Sequence, residues 1–345
     1  MDVRAFCSQS RVLIVAGKGG VGKTTMVAAL AHLAAGAGLS VLVVELEGRS
    51  GVGTAFGREE TLGYAGSVLR AAGASLVDGD GNAAEDRGGG AAAIPPGTVQ
   101  ARTITPDDAL LEYLADHGLK RVSKRLMSSG IVDIVAGAIP GIRDILVLGK
   151  VKQIERSGIA DLVLVDAPAT GHTMTFLSSA GGLLDAARGG PIRSQAADVV
   201  DLLTDPTRCQ VALVTLPEEM PVNEVIEAAY QLEDRVGIAL GPVIVNACYT
   251  PVAGLDVPAE DAVAAAGVTL DPSMVSSLEE ARRFRQTRHQ LQEEQVQRLA
   301  HELPLPQLRV PFLFTSAIGP HELDLLTDAL ATGVEELHDP AQVPS

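Results

Sequence analysis

The chain contains no tryptophan, and aromatic residues make up only 3% of its 345 positions. A core built almost without rings must be aliphatic, drawn from Val, Leu, Ile and Ala. Cysteine is scarce too: Cys7, Cys209 and Cys248 are far apart and form no Cys-x-x-Cys. That pattern argues against a disulfide framework and a zinc knuckle. Cys209 and Cys248 lie in or beside apolar runs, where a small buried hydrophobe is the ordinary role. Positive charge is in deficit, with 27 Lys and Arg against 43 Asp and Glu, a net charge of −16. Binding to DNA, RNA or anionic lipid is disfavoured, and Lys120–Arg125 is the strongest local basic run. No stretch reaches about 18 uninterrupted apolar residues, so no membrane span is expected. The first residues lack a signal peptide's charged start and apolar run, and a cytoplasmic protein is expected.

What the chain does have is 46% hydrophobic residues, enough for a large core with an inserted subdomain. Its most informative stretch is Arg11-Val-Leu-Ile-Val-Ala-Gly-Lys-Gly-Gly-Val-Gly-Lys-Thr-Thr25. Val12–Val15 reads as a buried strand, and the Ala-rich segment from Met26 to Ala37 reads as a helix. Between them, Gly17 to Thr24 matches Gly, four residues, Gly, Lys and Ser/Thr. Glycines remove Cβ atoms, so the backbone N–H groups of Gly17, Lys18, Gly19, Gly20, Val21, Gly22, Lys23, Thr24 and Thr25 can wrap a phosphate. The helix that starts there aims its positive dipole end at the same anion. Lys23 is placed to reach the β- and γ-phosphates, and the Thr24 hydroxyl to ligate Mg²⁺. ATP and Mg²⁺ are the expected ligands.

Further strands are read at Val41–Val44, Leu162–Val165, Val211–Val214, Val243–Val245 and Leu308–Val310. Helices alternate with them, including a capping box at Ser277-x-x-Glu280 that opens a long helix to about 302. The alternation predicts an α/β fold with a doubly wound, mostly parallel sheet. Residues 1–10 and 337–345 read as flexible ends, and 78–99 as a low-complexity surface loop. Helical stretches over about 105–157 and 172–205 read as an inserted helical subdomain. Asp166 ends the apolar run Leu162–Val165, as a carboxylate that holds a Mg²⁺-bound water does. Gly171 can present an N–H to a γ-phosphate.

These residues carry a resemblance. The second loop lysine, Lys18, is the mark of the deviant Walker A ATPases. Asp166-Ala-Pro-Ala-Thr-Gly-His-Thr173 resembles the switch II signature of the ArsA family, which includes arsenite-pump and guided-entry ATPases. Glu47-Gly…Ala55-Phe-Gly57 is similar to its switch I, Ile139-Pro-Gly-Ile-Arg-Asp144 to a motif of its helical subdomain, and Leu216-Pro-Glu218 to a strand-end motif. The chain is thereby identified as similar to actinobacterial, guided-entry-like members over about 11–335. The resemblance implies a dimeric P-loop ATPase, homodimeric or paired with a paralogue, in which Lys18 crosses to the partner's nucleotide. It implies that Glu47 orients the attacking water, where the family usually has Asp, with Glu45 a second candidate for the Mg²⁺ shell. It makes His172 a relay between nucleotide and cargo sites, though the residue also suits an ordinary polar role. Asn246 would read adenine, though it also suits a turn after a strand, and Pro311 is counted with it among the nucleotide-binding residues.

Other features depart from the family. Ser276 and Glu279 stand at the two cysteine positions ahead of Ala281-Arg-Arg283, so no zinc clasp is expected; no cysteine falls between 120 and 175, so no iron–sulfur cluster is expected, and without a cysteine cluster a metalloid site is doubtful. Three activities stay open on this reading: an ATPase with a membrane-protein client or membrane partner, a non-hydrolysing nucleotide-binding subunit beside an active paralogue, and an arsenite-pump subunit. A partition or septum-site role lacks its DNA-binding surface or membrane helix.

Overall fold

The β-branched runs of this chain form strands covered on both faces, and the Ala- and Leu-rich segments between them form the covering helices. The computed structural model describes residues 1–46, 51–58, 62–73, 93–116 and 141–337. Its strands are β1 (Val12–Gly17), β2 (Val41–Leu46), β3 (Ser67–Arg70), β4 (Val99–Ile104), β5 (Leu162–Ala169), β6 (Cys209–Thr215), β7 (Ala239–Cys248) and β8 (Gln307–Pro311). They lie side by side in the order β3-β4-β2-β5-β1-β6-β7-β8. β3 runs antiparallel to β4. The other pairings are parallel, as the alternation of strands and helices predicts. β1 is central, with β5 on one side and β6 on the other, so the carboxyl ends of three buried strands open on the phosphate loop.

One face of the sheet is covered by α1 (Val3–Cys7), α2 (Lys23–Gly36) and the last helix, Pro320–Glu336; Met26, Leu30, Leu326 and Leu330 are buried there with Val15, Val43 and Val214. The other face carries Ile142–Ser157, Thr170–Ala186, Pro191–Thr204, Glu219–Gln231 and the far end of Pro272–Glu302. Leu148, Val151, Phe176, Leu177, Val199 and Leu202 of that layer share one apolar core with Val12, Ile14 and Val163. Pro106–Asp116 precedes this layer, and residues 117–140, which include the expected helix over 119–138 and the Lys120–Arg125 run, lie outside the described residues. No described helix is long and apolar enough to cross a membrane.

The structure corrects several expectations. Residues 3–7, read as a loose lead-in, form a helix that buries Phe6 and Cys7, with Asp2 capping Ala5 N at 3.0 Å. The terminal ammonium donates to Glu335 O at 3.0 Å and Leu337 O at 2.8 Å. The expected loop over 78–99 ends sooner: Ile94 is buried, its N–H donates to Ile159 O at 2.8 Å, and Val99 begins β4; residues 78–92 lie outside the described residues. The long helix opens at Pro272 under an Asp271 cap. Ser277 therefore sits inside it, its hydroxyl donating to Ser273 O. Pro at the first helical position and Asp before it outweigh the Ser277–Glu280 pattern, because they satisfy the orphan donors one turn earlier. β3 and β4 are not among the expected strands: β3 has only four residues, and β4 interleaves Gln100 and Arg102 with its apolar residues instead of forming an apolar run.

Candidate functional site

The loop leaves β1 at Gly17 and enters α2 at Lys23. Gly22 takes φ +92°, and a Cβ there would lie 2.4 Å from Asn246 Nδ2. Only glycine lets the chain turn into α2 this close to β7. Lys23 Nζ donates to Lys18 O at 3.0 Å, so the loop is closed over its own backbone. Lys18 Nζ meets Glu224 Oε1 at 2.5 Å. Gly19 and Gly20 are exposed at the loop's crest.

Thr24 Oγ1 donates to Asp166 Oδ2 at 2.7 Å, across 142 residues of sequence. Register explains the meeting: Asp166 lies beside Val15 of β1 and beside Glu45 of β2. Glu45 is 1% exposed; its Oε1 accepts from Val52 N at 3.1 Å, while its Oε2 is buried with no hydrogen-bond partner. Burial pushes its carboxyl up to about 7, against the Val52 N–H and with help from the neighbouring charge of Asp166. The anchored segment, α3 (Gly51–Ala55), comes so close that a Cβ on Gly51 would sit 2.7 Å from Thr24 Cγ2. Three elements thus converge on Thr24: α2, the end of β5, and the segment after β2. Glu47 itself lies outside the described residues.

Gly171 and His172 are exposed in the first turn of the helix that follows β5, and Thr173 is tied back to Pro168 O at 2.5 Å. Burial raises the Asp144 carboxyl and the nearby His172 opposes that rise; Ile139 and Pro140 lie outside the described residues. Asn246 Nδ2 donates to Val21 O at 2.9 Å and its Oδ1 accepts from Ala247 N at 2.8 Å, so this amide braces the loop. Pro311 ends β8 opposite Cys248. Beside it Tyr249, Phe312 and Phe314 form an aromatic cluster, with the Arg285 guanidinium 4.1 Å from the Tyr249 ring centre. The structure brings the loop, Asp166 and Asn246 together, with Asp166 on Thr24 and Asn246 on Val21; the sequence reads the loop and Asp166 and leaves Asn246 open. Sequence reading missed Glu224 and the Glu45–Val52 anchor, because no local signal joins residues so far apart or gives a strand-end carboxylate a backbone partner.

At the position matching a zinc cysteine, Glu279 is engaged otherwise. Its Oε1 accepts from Arg282 Nη2 and Arg283 Nε, both at 2.7 Å, and its Oε2 from Arg282 Nε at 2.8 Å and Ala259 N at 3.1 Å. The carboxylate clips the short helix Ala259–Ala265 onto Pro272–Glu302 and is held below the usual carboxylate range by these donors.

A phosphate loop between a central parallel strand and its helix, with a strand-end Asp bonded to the loop threonine, defines a P-loop nucleotide-binding protein. The chain belongs to the CobQ/CobB/MinD/ParA nucleotide binding domain family, which matches residues 12–314. Among curated relatives it is 35% identical over 243 residues to ATPase BagA of Mycobacterium tuberculosis, a stretch covering 68% of this chain and 64% of that protein. A putative arsenical pump-driving ATPase of Halobacterium salinarum is 27% identical over 259 residues, 69% of this chain and 35% of its own length. ATPase get3 of Schizosaccharomyces japonicus is 29% identical over 170 residues, 48% and 43% respectively. The matched stretch thus spans less than two thirds of each of these relatives.

Proposed function

We propose that the chain is an ArsA-type ATPase that binds Mg–ATP at Gly17–Thr25 and hydrolyses its γ-phosphate. The observation that carries this reading is the direct contact of Thr24 with Asp166 at 2.7 Å, at the start of the helix that Lys23 opens. The residues present fit a divalent cation: Thr24 and Asp166 supply hard oxygen donors, and the buried, unpartnered Glu45 Oε2 offers a further acceptor for a bound water. Thr24 and Asp166 would hold Mg²⁺, whose charge neutralises that of the β- and γ-phosphates when bound. On nucleotide binding Lys23 exchanges the Lys18 carbonyl for phosphate oxygens. Backbone N–H groups of the loop and Gly171 bind and orient the phosphates, and Glu47 orients the water. Positioning and charge stabilisation supply the rate.

The relatives' names support ATP hydrolysis as the shared activity. Lys18 is read as the lysine that completes a partner's site, in a homodimer or with a paralogue. Gly171 and His172 link the γ-phosphate to the helical layer that begins at Thr170, and a membrane-protein client or membrane partner is the proposed recipient of that movement. Asn246 and Pro311 are read as flanking the adenine.

Glu47 in place of Asp favours one second reading, a nucleotide-binding subunit that does not hydrolyse. Fluorescent-ATP binding and phosphate release by the purified chain decide between the two. The ATPase reading expects turnover that Lys23→Ala abolishes together with binding, and that Asp166→Asn abolishes with binding retained. Lys23-dependent binding without turnover establishes the second reading. Binding indifferent to Lys23→Ala overturns both.

A further inference from the structure

Lys18 is held twice within its own chain. Its carbonyl accepts from Lys23 Nζ at 3.0 Å, and its ammonium meets Glu224 Oε1 at 2.5 Å. Glu224 lies 206 residues away on the helix Glu219–Gln231, outside the loop and outside β5. It reaches Lys18 because β6, whose end leads into that helix, lies directly beside β1. The two side chains are 40% and 33% exposed, so the pair is open to competition from water and from stronger anions.

Resting on the reading of Lys18 as a lysine that serves a second subunit, we propose that Glu224 is a positioning residue that keeps Lys18 in its own chain until two nucleotides are present. The two holds answer to different phosphates. ATP in the chain's own loop draws Lys23 away and so removes the hold on the Lys18 backbone. The hold on the ammonium is a separate one, made by a carboxylate on another helix and not by Lys23. A second subunit presenting its own triphosphate offers Lys18 an anion of higher charge than one carboxylate. The exchange of Glu224 for phosphate then completes the interface. A subunit without ATP cannot win Lys18 from Glu224, so empty pairs are disfavoured.

The experiment compares wild type, Glu224→Gln and Lys18→Ala, each as the full chain. Self-association is followed by sedimentation with Mg²⁺ and adenosine 5′-O-(3-thiotriphosphate), and Lys18 acylation by a small amine-reactive reagent is read by mass spectrometry without nucleotide. Glu224→Gln is expected to raise the Lys18 acylation rate at least threefold with Lys23 unchanged, and to tighten nucleotide-dependent association three- to fivefold. Unchanged Lys18 acylation overturns the hold. Association that is weaker, equal or absent in both wild type and Glu224→Gln overturns the competition. Lys18→Ala separates the two layers: if it associates as wild type does, the cross-subunit reading has failed, while the acylation result still decides whether Glu224 restrains Lys18. A charge-reversed pair, Lys18→Glu with Glu224→Lys, guards against misfolding of one variant. It should associate less than Glu224→Gln, and equal association counts against the proposal.

Discussion

Gly22 and Asn246 make a test of the loop that does not depend on any ligand. A side chain at Gly22 meets two penalties. The first is its φ of +92°, which for an alanine costs about 1–2 kcal/mol. The second is the Asn246 amide, 2.4 Å from where the new Cβ would stand. The amide is the free end of a side chain, so it can swing aside, but only by giving up its bond to Val21 O, worth about 0.5–1.5 kcal/mol. Gly22→Ala should therefore destabilise the nucleotide-free chain by roughly 1.5–3.5 kcal/mol, the sum of those terms. Asn246→Ala removes that hydrogen bond and the one its Oδ1 accepts from Ala247 N, and should cost about 1–3 kcal/mol alone. In the double variant the bond to Val21 O is lost once, so its cost should fall short of the sum by about 1 kcal/mol. Urea titration of the four proteins gives the coupling directly. Costs that add within about 0.3 kcal/mol would show that the amide does not brace the turn and would sink the reasoning.

Two further outcomes follow from buried groups. Glu45 is held up to about 7 against an ordinary 4.5. Below about pH 4.5 it is neutral in both folded and unfolded chains, and the folded state loses stability as pH rises through 7. Glu45→Gln stays neutral, so its unfolding free energy relative to wild type, read by urea titration, should climb between pH 5 and pH 8 by an amount on the order of 2–3 kcal/mol at most; a flat difference refutes the buried carboxylate. Burial pushes the Cys7 thiol to about 12 and the Cys248 thiol to about 11, and raises Cys209 as well. Native protein at pH 8 should react with iodoacetamide far more slowly than urea-unfolded protein at all three cysteines, read by peptide mass; a fast native Cys7 contradicts the helix that covers it.

The parts that could be read from the chain are those in which a run and its end carry the whole signal. The apolar Val12–Val15 followed by Gly17–Thr25, and Leu162–Val165 followed by Asp166, each write strand, turn and chemistry into about a dozen residues. The sheet's parallel core followed from them. What escaped reading depends on distance. Glu224 touches Lys18 only because β6 and β1 are neighbours, and Glu45 finds Val52 only once the segment after β2 folds back. β3 and β4 escaped for another reason: β3 has four residues at the sheet's edge, and β4, Val-Gln-Ala-Arg-Thr-Ile, interleaves polar with apolar residues and so forms no apolar run. The start of the long helix went astray because two local signals competed and Asp271-Pro272 satisfies the orphan donors first.

The helices from Ile142 to Thr204 rest on the sheet through one continuous apolar interior, with Leu148, Phe176 and Leu202 among the side chains buried beside Ile14 and Val163. Such a joint has no gap to open. Swinging the layer outward like a door would flood that interior with water, at roughly 25 cal/mol for each Å² of apolar surface exposed. Sliding by a rotamer step, with side chains changing neighbours while staying dry, avoids that cost. A displacement of this layer would then spread as shear, in small movements shared among many contacts.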